Sequence, residues 1–318
     1  MAMPKTDIRQ PKQRGGGLVR AMGFALIAAF LNGCYERKEA AVINPDGSGK
    51  ITIQTDIAVA AEGRGGDRNA DVLATGRLFA ANLINSTRGV DAWGEVSVTV
   101  AADGRAHIAG TAYFPDVNKL RFDVPIEFAW KRDADGAVFT IQRTHSPTAA
   151  PAAHPTAEQV NGLVKQARDQ HKVSQPVLQV QLGAFRQEMR IELPGDLSDE
   201  QVLSREGNAV SLTIDGKKVF QAIDAIMSND TALAETFSTG VDGPANDDIM
   251  VQSMYGTKGP ISVRAKFAPG AAALFDYKTE MRVAQIQESD MLKAAGVELI
   301  PKFTVRPAGT APASGGGK

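Results

Sequence analysis

Apolar and polar residues alternate in segment after segment of this chain, and this period of two constrains the fold more than any other feature. Successive side chains of a strand point to opposite faces of its sheet, so alternation predicts strands with one buried and one solvated face. Asp103-Gly104 and Asp135-Gly136 predict hairpin turns between such strands. In the first half the alternating segments are 50–59, 96–100 with a return at 105–114, and 122–130 with a return through 139–141.

The second half continues the pattern. It predicts further strands at 178–182, 189–193, 210–214 and 261–267. Because strands of parallel sheets read as continuous apolar runs, this alternation predicts mostly antiparallel pairing. Pro125 lies inside the 122–130 segment, and proline cannot donate to a hydrogen-bonded ladder. We therefore expect that strand at an edge of its sheet.

Helical spacing of apolar residues interrupts the strands at a few places. Thr156 and Gln159 form a capping-box pattern at the start of one helix, and His171 is expected near its C-terminal end. The predicted helices are 72–84 with Asp71 at its start, 156–171, 219–227, and a short helix from Asp230 to Phe237. Mostly antiparallel strands with a few packed amphipathic helices predict the α+β class.

Acidic residues cluster around Ser198. Asp196, Asp199 and Glu200 lie beside this serine, and Gln201 follows three residues after it. Acidic side chains are stabilising at the positive N-terminal end of a helix. The cluster therefore predicts that Ser198 begins a further short helix with Gln201 as its partner.

The composition excludes several classes of protein. Of 318 residues, 43% are hydrophobic and 22% are charged, which is typical of a globular chain and not of a fibrous, disordered or multi-span membrane protein. Five of the 35 basic residues but only one of the 36 acidic ones precede residue 34, which leaves 30 basic and 35 acidic residues after it. An acidic body is not expected to bind nucleic acid, because that requires a basic surface.

The first 34 residues carry the most specific signal. A basic leader ends at Arg20 and is followed by the apolar run 21–31 and by Asn32-Gly33-Cys34. As a helix, that run extends roughly 16 Å, about half of the hydrocarbon thickness of a bilayer, so a stable membrane span is not expected. A basic region, a short apolar region and small residues are the parts of a secretory signal. Cys34 is the sole cysteine of the chain.

This segment resembles the lipobox of bacterial lipoprotein precursors, since Leu31, Gly33 and Cys34 fit its pattern. Asn32 stands where that family usually has alanine, serine or a small apolar residue. The resemblance implies cleavage between Gly33 and Cys34 and a diacylglyceryl group, with acyl chains such as palmitate, on the cysteine thiol. Tyr35, in place of aspartate, favours the outer membrane in an organism that has one. The alternatives are a conventional or uncleaved signal, and a buried free thiol at the end of an apolar helix.

The lipobox resemblance, together with the composition of segments 144–155 and 307–318, predicts how the chain divides into units. If the signal works, the body lies outside the cytoplasm, in the periplasm or elsewhere in the cell envelope, and a single cysteine allows no intramolecular disulfide. The predicted units are the signal peptide 1–33, an N-terminal α+β region 34–143, a linker 144–155, a C-terminal α+β region 156–306 and a disordered tail 307–318. The alternative is one continuous domain formed by both regions.

No motif in the sequence predicts catalysis, a cofactor or a bound metal. The four histidines, His107, His145, His154 and His171, are 38, 9 and 17 residues apart, which matches no compact metal-ligand pattern. His107 is expected on the polar face of its strand. The Gly-x-Ser-x-Gly elbow of α/β-hydrolases is absent. The weak candidates for a cation or polar ligand are Asn246, Asp247 and Asp248 in the loop 240–248, although an EF-hand spacing is missing there.

We therefore predict a non-catalytic lipoprotein of the cell envelope, tethered through Cys34, with a binding or structural role at the membrane surface. Its expected partners are the membrane, through the lipid anchor, and an envelope component that the sequence does not identify. Two alternatives stay open. A cavity between sheet and helices would indicate a lipid or small-molecule binding protein. Convergent carboxylates would indicate a carboxylate-dependent hydrolase, whose spacing cannot be read from the sequence.

Overall fold

The computed structural model describes residues 35–59, 67–122, 126–143, 155–200, 203–239, 249, 252–257 and 260–299. In these ranges the chain has the predicted α+β fold. Its strands are β1 (Tyr35–Ile43), β2 (Gly49–Ile57), β3 (Ala92–Val100), β4 (Ala106–Phe114), β5 (Ile126–Asp133), β6 (Gly136–Arg143), β7 (Arg186–Glu192), β8 (Asp196–Ser198), β9 (Ser204–Glu206), β10 (Ala209–Asp215) and β11 (Ile261–Lys266). Its longer helices are α1 (Arg68–Ser86), α2 (Ala157–Leu182), α3 (Gly216–Met227), α4 (Asp230–Thr239) and α5 (Tyr277–Ala295), and Val117–Lys119 forms a single 3₁₀ turn.

The strands form two sheets. The larger has the order β3-β4-β2-β1-β7-β10-β9, and the smaller has the order β5-β6-β11-β8. Neighbouring strands are antiparallel except for β1 and β7, which pair in parallel with Ala41 opposite Ile191. Each sheet combines strands that precede residue 144 with strands that follow residue 155, so hydrogen-bonded ladders join the two regions.

The two sheets share one hydrophobic core. Ile51 and Ile53 of β2 and Ile191 of β7 point into it from the larger sheet, and Phe139 and Val263 do so from the smaller one. Fully burying a side chain of this size stabilises a fold by roughly 1.5–3 kcal/mol. The strands predicted from alternation at 50–59, 96–100, 105–114, 189–193, 210–214 and 261–267 are present, with small shifts at their ends.

The predicted strand at 122–130 is shorter than expected. Strand β5 begins at Ile126 and is an edge strand of the smaller sheet, as Pro125 predicts, although Pro125 itself lies outside the described residues. Phe122 precedes the strand, and its ring packs edge-on against Phe128 at 6.3 Å between centroids. Phe122 is thus a core residue that no strand carries.

Helix α1 lies on the core face of β3 and β4. It begins at Arg68 with Asp67 as its N-cap, and Asp71 is in its first turn. A Cβ on Gly76 would lie 2.8 Å from Val98 Cγ1. The glycine that weakens the helical pattern is therefore what lets this helix approach the sheet closely.

Helix α5 covers the opposite face of β3. Ala92, Tyr113 and Ala284 form a small buried cluster there, and Lys50 Nζ donates to Glu280 Oε2 at 2.6 Å. Burial and the nearby Glu280 carboxylate raise the pKa of Tyr113 to about 12, because both disfavour the tyrosinate. Helix and sheet are thus joined through polar as well as apolar contacts.

The strand predicted at 178–182 is wrong, since these residues form the last part of α2, which continues through Pro176. Leu178 and Leu182 are buried and Val180 is exposed. In a helix, residues four apart lie on the same side, and the residue midway between them lies on the opposite side. A spacing of four satisfies the period of a strand as well as that of a helix, so alternation alone misidentified the segment. His171 consequently lies in the middle of α2 and not near its end.

The short helix predicted at Ser198 is also wrong. Asp196–Ser198 is strand β8, and its buried Leu197 pairs with Ala265 of β11. Asp199 has a φ of +59°, a left-handed conformation that interrupts both strand and helix. Gln201 lies outside the described residues. The acidic residues therefore mark the end of a strand.

Helices α2, α3 and α4 pack on one another, and we call them the helical module. α4 is preceded by Asn229, whose side chain accepts a hydrogen bond from Ala232 N. α3 begins directly after β10, and α2 ends four residues before β7. The module is therefore joined to the larger sheet where β10 ends and β7 begins. Its own buried cluster consists of Val160, Val164, Ala167, Leu233 and Phe237.

Candidate functional site

Strand β1 is the central strand of the larger sheet. The end of the sheet at which β1 begins is called the Tyr35 edge, and it is formed by the ends of several neighbouring strands. Tyr35 begins β1 and lies opposite Ile57 at the end of β2, which in turn lies opposite Ala106 at the start of β4. On the other side of β1, Arg186 begins β7 and lies opposite Asp215, the last residue of β10. The helical module is joined to the sheet at this same edge.

The two residues predicted for lipidation and cleavage adjoin this edge in the sequence. Cys34 and Gly33 both lie outside the described residues, but Cys34 is joined by a peptide bond to Tyr35. The ring of Tyr35 stacks on Phe185 with centroids 5.6 Å apart and planes 6° apart, and it contacts Phe79 of α1 at 6.4 Å. Aromatic pairs of this kind contribute about 0.5–1.5 kcal/mol beyond their buried area. Strand β1 thus begins at the residue that directly follows the predicted lipidation site.

A buried ion pair follows Tyr35 on the core side of β1. Arg37 is 7% exposed and Glu39 is 4% exposed. Arg37 Nε donates to Glu39 Oε1 at 2.7 Å, and a second guanidinium nitrogen contacts the same carboxylate. The Arg37 guanidinium also lies over the ring of Phe122, 5.7 Å from its centroid. Burial alone would lower the pKa of Arg37, but Glu39 and the hydroxyl of Tyr35 raise it above its usual value, so the cation is strongly held.

Two uncharged polar side chains extend this ion pair into a polar patch on the core face. Arg37 lies opposite Thr55 of β2 and Gln187 of β7, and Gln187 Nε2 donates to Glu39 Oε2 at 3.4 Å. Thr55 is 1% exposed, and its hydroxyl has no hydrogen-bond partner among the described residues. A buried hydroxyl without a hydrogen-bond partner is destabilising, so this polar patch lowers the stability of the core.

The solvated face of the larger sheet carries a second pair near the same edge. His107 is on that polar face, as its strand pattern predicts, and His107 Nδ1 lies 2.7 Å from Asp56 Oδ1. Arg105 lies 4.0 Å from the same carboxylate. The backbone amide of Arg105 and then its guanidinium lower the pKa of Asp103 below its usual range. The Tyr35 edge is therefore lined with paired charges on its solvated side.

The helical module contains the other described histidine. His171 Nε2 lies 3.2 Å from Asp224 Oδ1, and Gln175 Nε2 donates to the same oxygen at 2.6 Å, which ties α2 to α3. Between α2 and α4 there is a groove of about 910 Å³. An apolar ligand would not be favoured there, because six of the eleven lining residues are charged: Lys165, Arg168, Asp169, Lys172, Asp230 and Glu235.

The other sequence-predicted candidates are not brought into this site. Asn246, Asp247 and Asp248 lie outside the described residues, as do His145 and His154. Within the described ranges, no three His, Cys, Asp or Glu side chains lie close enough together to hold a metal ion. In the same ranges, no helix combines the length and the hydropathy that crossing a bilayer requires.

Comparison with known proteins gives little further information. No protein-family model matches the chain, and no curated protein does. Among solved structures, the chain is similar to the folded domain of LppM from Mycobacterium tuberculosis, determined by NMR, with a TM-score of 0.31 and 10% sequence identity. The match covers 75% of this chain and 93% of that one. A TM-score this low establishes neither a shared fold nor a shared function, so function must be inferred from the residues of this chain.

Proposed function

We propose that the protein is a non-catalytic, lipid-anchored protein of the cell envelope, held through Cys34 with a binding or structural role at the membrane surface. The observation that carries this is the position of the sole cysteine. It follows a short apolar run and directly precedes Tyr35, the buried first residue of the larger sheet. A lipid on Cys34 would therefore hold the folded body at the membrane without a spacer.

The chemistry of the anchor also fits this role. The apolar run 21–31 is too short to cross a bilayer, so it favours a signal over a permanent span. A single acyl chain binds membranes only marginally and reversibly, whereas two chains hold a protein stably. A diacylglyceryl group supplies two, and the Cys34 thiol is the one thiol available to carry it.

Attachment of the acyl chains is expected to require the thiol sulfur of Cys34. In bacteria fed an alkyne-bearing palmitate analogue, the wild-type chain should incorporate the label and a Cys34→Ala chain should not, as read by in-gel fluorescence after coupling to a dye. Asn32→Ala, which places a typical lipobox residue before Gly33, is the matched control and should be labelled at least as strongly as wild type. Equal labelling of wild type and Cys34→Ala would mean that the lipid is attached elsewhere.

The non-catalytic part of the proposal has its own test. Catalysis by a histidine normally requires a nucleophile or a substrate within hydrogen-bonding reach. The imidazoles of His107 and His171 each lie within hydrogen-bonding distance of an aspartate, and neither of these two contacts involves a hydroxyl nucleophile. The purified protein is therefore expected to turn over none of a panel of glycosidase, peptidase and esterase substrates. Turnover that one buried Asp or Glu substitution abolishes, with the fold intact, would instead establish the hydrolase alternative.

A further inference from the structure

The C-terminal half of α2 exposes three valines that no described residue covers. Val173, Val177 and Val180 are 81%, 57% and 80% exposed. Their spacing places them on one side of the helix, since residues four and three apart are neighbours on a helical surface. Leu178 and Leu182, which are buried, lie on the other side. We call the three exposed side chains the valine face.

Charged residues are absent from this part of the chain. From Val173 to Phe185 the sequence contains none, whereas Lys165, Arg168, Asp169 and Lys172 precede it in the same helix. A helix surface that faces water is normally polar, and an apolar surface flanked by charges is typical of helices that lie on a membrane.

The fold holds the valine face near the predicted lipid. Phe185 N donates to Leu182 O at 2.9 Å, so the chain turns tightly after α2, and the Phe185 ring stacks on Tyr35. Val180 and Phe185 are five residues apart, so their Cα atoms lie at most about 18 Å apart even in a fully extended chain. Tyr35 is the residue next to Cys34. The valine face and the attachment point of the lipid therefore lie at the same edge of the molecule.

We propose that the valine face lies on the lipid bilayer that holds Cys34, so that the protein is oriented on the membrane by α2 as well as tethered to it. This inference rests on the proposed anchoring through Cys34. Anchoring keeps the bilayer within reach at all times, so a contact too weak to bind a free protein still determines the orientation of a tethered one. A specific dimer buries on the order of 1,200–2,000 Å², far more than three valines expose, which favours the bilayer over a second copy.

Depth-dependent quenching tests this contact. Because the thiol of Cys34 would be occupied by lipid, a Val177→Cys chain carries one free thiol for a fluorophore. The full-length, lipidated protein is purified from membranes and reconstituted at low density in phosphatidylcholine vesicles that contain headgroup-nitroxide lipid. Glu206→Cys is the matched control, because Glu206 lies opposite Ala209, at the far end of β10 from the Tyr35 edge. The label at position 177 is expected to be quenched several-fold more than the label at position 206.

A second set of variants tests whether the valines themselves make the contact. In the Val177→Cys chain, Val173→Lys and Val180→Lys should remove the excess quenching, because buried lysines are costly at a membrane. Val283→Lys and Ile286→Lys, on exposed apolar residues of α5, should leave it unchanged. These four positions are solvent-facing, so the variants should fold.

The possible failures are distinguishable. If the protein floats with the vesicles but the label at position 177 is quenched no more than that at position 206, the contact is absent although the anchoring stands. If the protein does not float, or Cys34 also reacts with the fluorophore, the anchoring and this inference both fail. Shielding of the label from water without quenching would show that a second copy covers the valine face, which also overturns the proposal.

Discussion

An Arg37→Ala protein is expected to lose about 3–5 kcal/mol of unfolding free energy, which urea denaturation measures directly. The substitution would leave the Glu39 carboxylate buried without its cation, since the one other described hydrogen bond to that carboxylate is the long contact from Gln187. Burying an unpaired charge is among the largest destabilising effects of a single substitution.

Two matched variants separate this effect from a general loss of charge. Lys38→Ala, on the exposed side of the same strand, should change the stability by about 0.5 kcal/mol or less. Arg37→Met combined with Glu39→Leu should recover most of the loss, because removing both partners leaves no unpaired charge in the core. If Arg37→Ala cost no more than Lys38→Ala, the ion pair would not be desolvated in solution.

The second large effect is expected at the junction of the helical module with the sheet. A Cβ on Gly216 would overlap the backbone carbonyl of Leu182, which cannot rotate aside as a side chain can. Gly216→Ala should therefore displace the end of α2 from the start of α3 and cost about 1–3 kcal/mol or more. Amide hydrogen exchange should report the loss of protection mainly in α2 and α3, and less in the larger sheet.

A control substitution in the same helical module is expected to change the stability in the opposite direction. Gly162 lies inside α2, and apart from the backbone of its own helix and its chain neighbours no heavy atom lies within 4 Å of a Cβ placed there. Gly162→Ala should stabilise the protein by up to about 1 kcal/mol, because alanine favours a helix over glycine. Equal destabilisation by the two substitutions would show that the close approach at Gly216 does not constrain the module.

The sequence predicted those elements whose side chains sort cleanly between core and solvent. Strand β2, with Ile51 and Ile53 inward, follows this rule. Strand β1 was not predicted, because its inward positions include Arg37 and Glu39 while its outward positions include Glu36 and Lys38. Because both faces of β1 carry charged residues, its sequence does not alternate between apolar and polar residues. The parallel pairing of β1 with β7 could not be predicted either, since it joins segments that are far apart in the sequence.

The candidate site likewise has one part that the sequence predicts and one part that it does not. The lipobox resemblance at Leu31 to Cys34 is contiguous, so a single sequence is sufficient to find it. The polar patch requires the register that places Arg37 opposite Thr55 and Gln187, which no local pattern contains. Of the valine face, only Val180 lies in a segment for which the sequence predicts an element, and the alternation at 178–182 predicts a strand where the structure has a helix.

The most direct test of the proposed anchoring is the intact mass of the protein purified from the membrane fraction of its host. We expect a mature chain that begins at Cys34, with residues 1–33 removed and the mass of a diacylglyceryl group added. A chain that retains residues 1–33, or that begins elsewhere with an unmodified Cys34 thiol, would contradict the account.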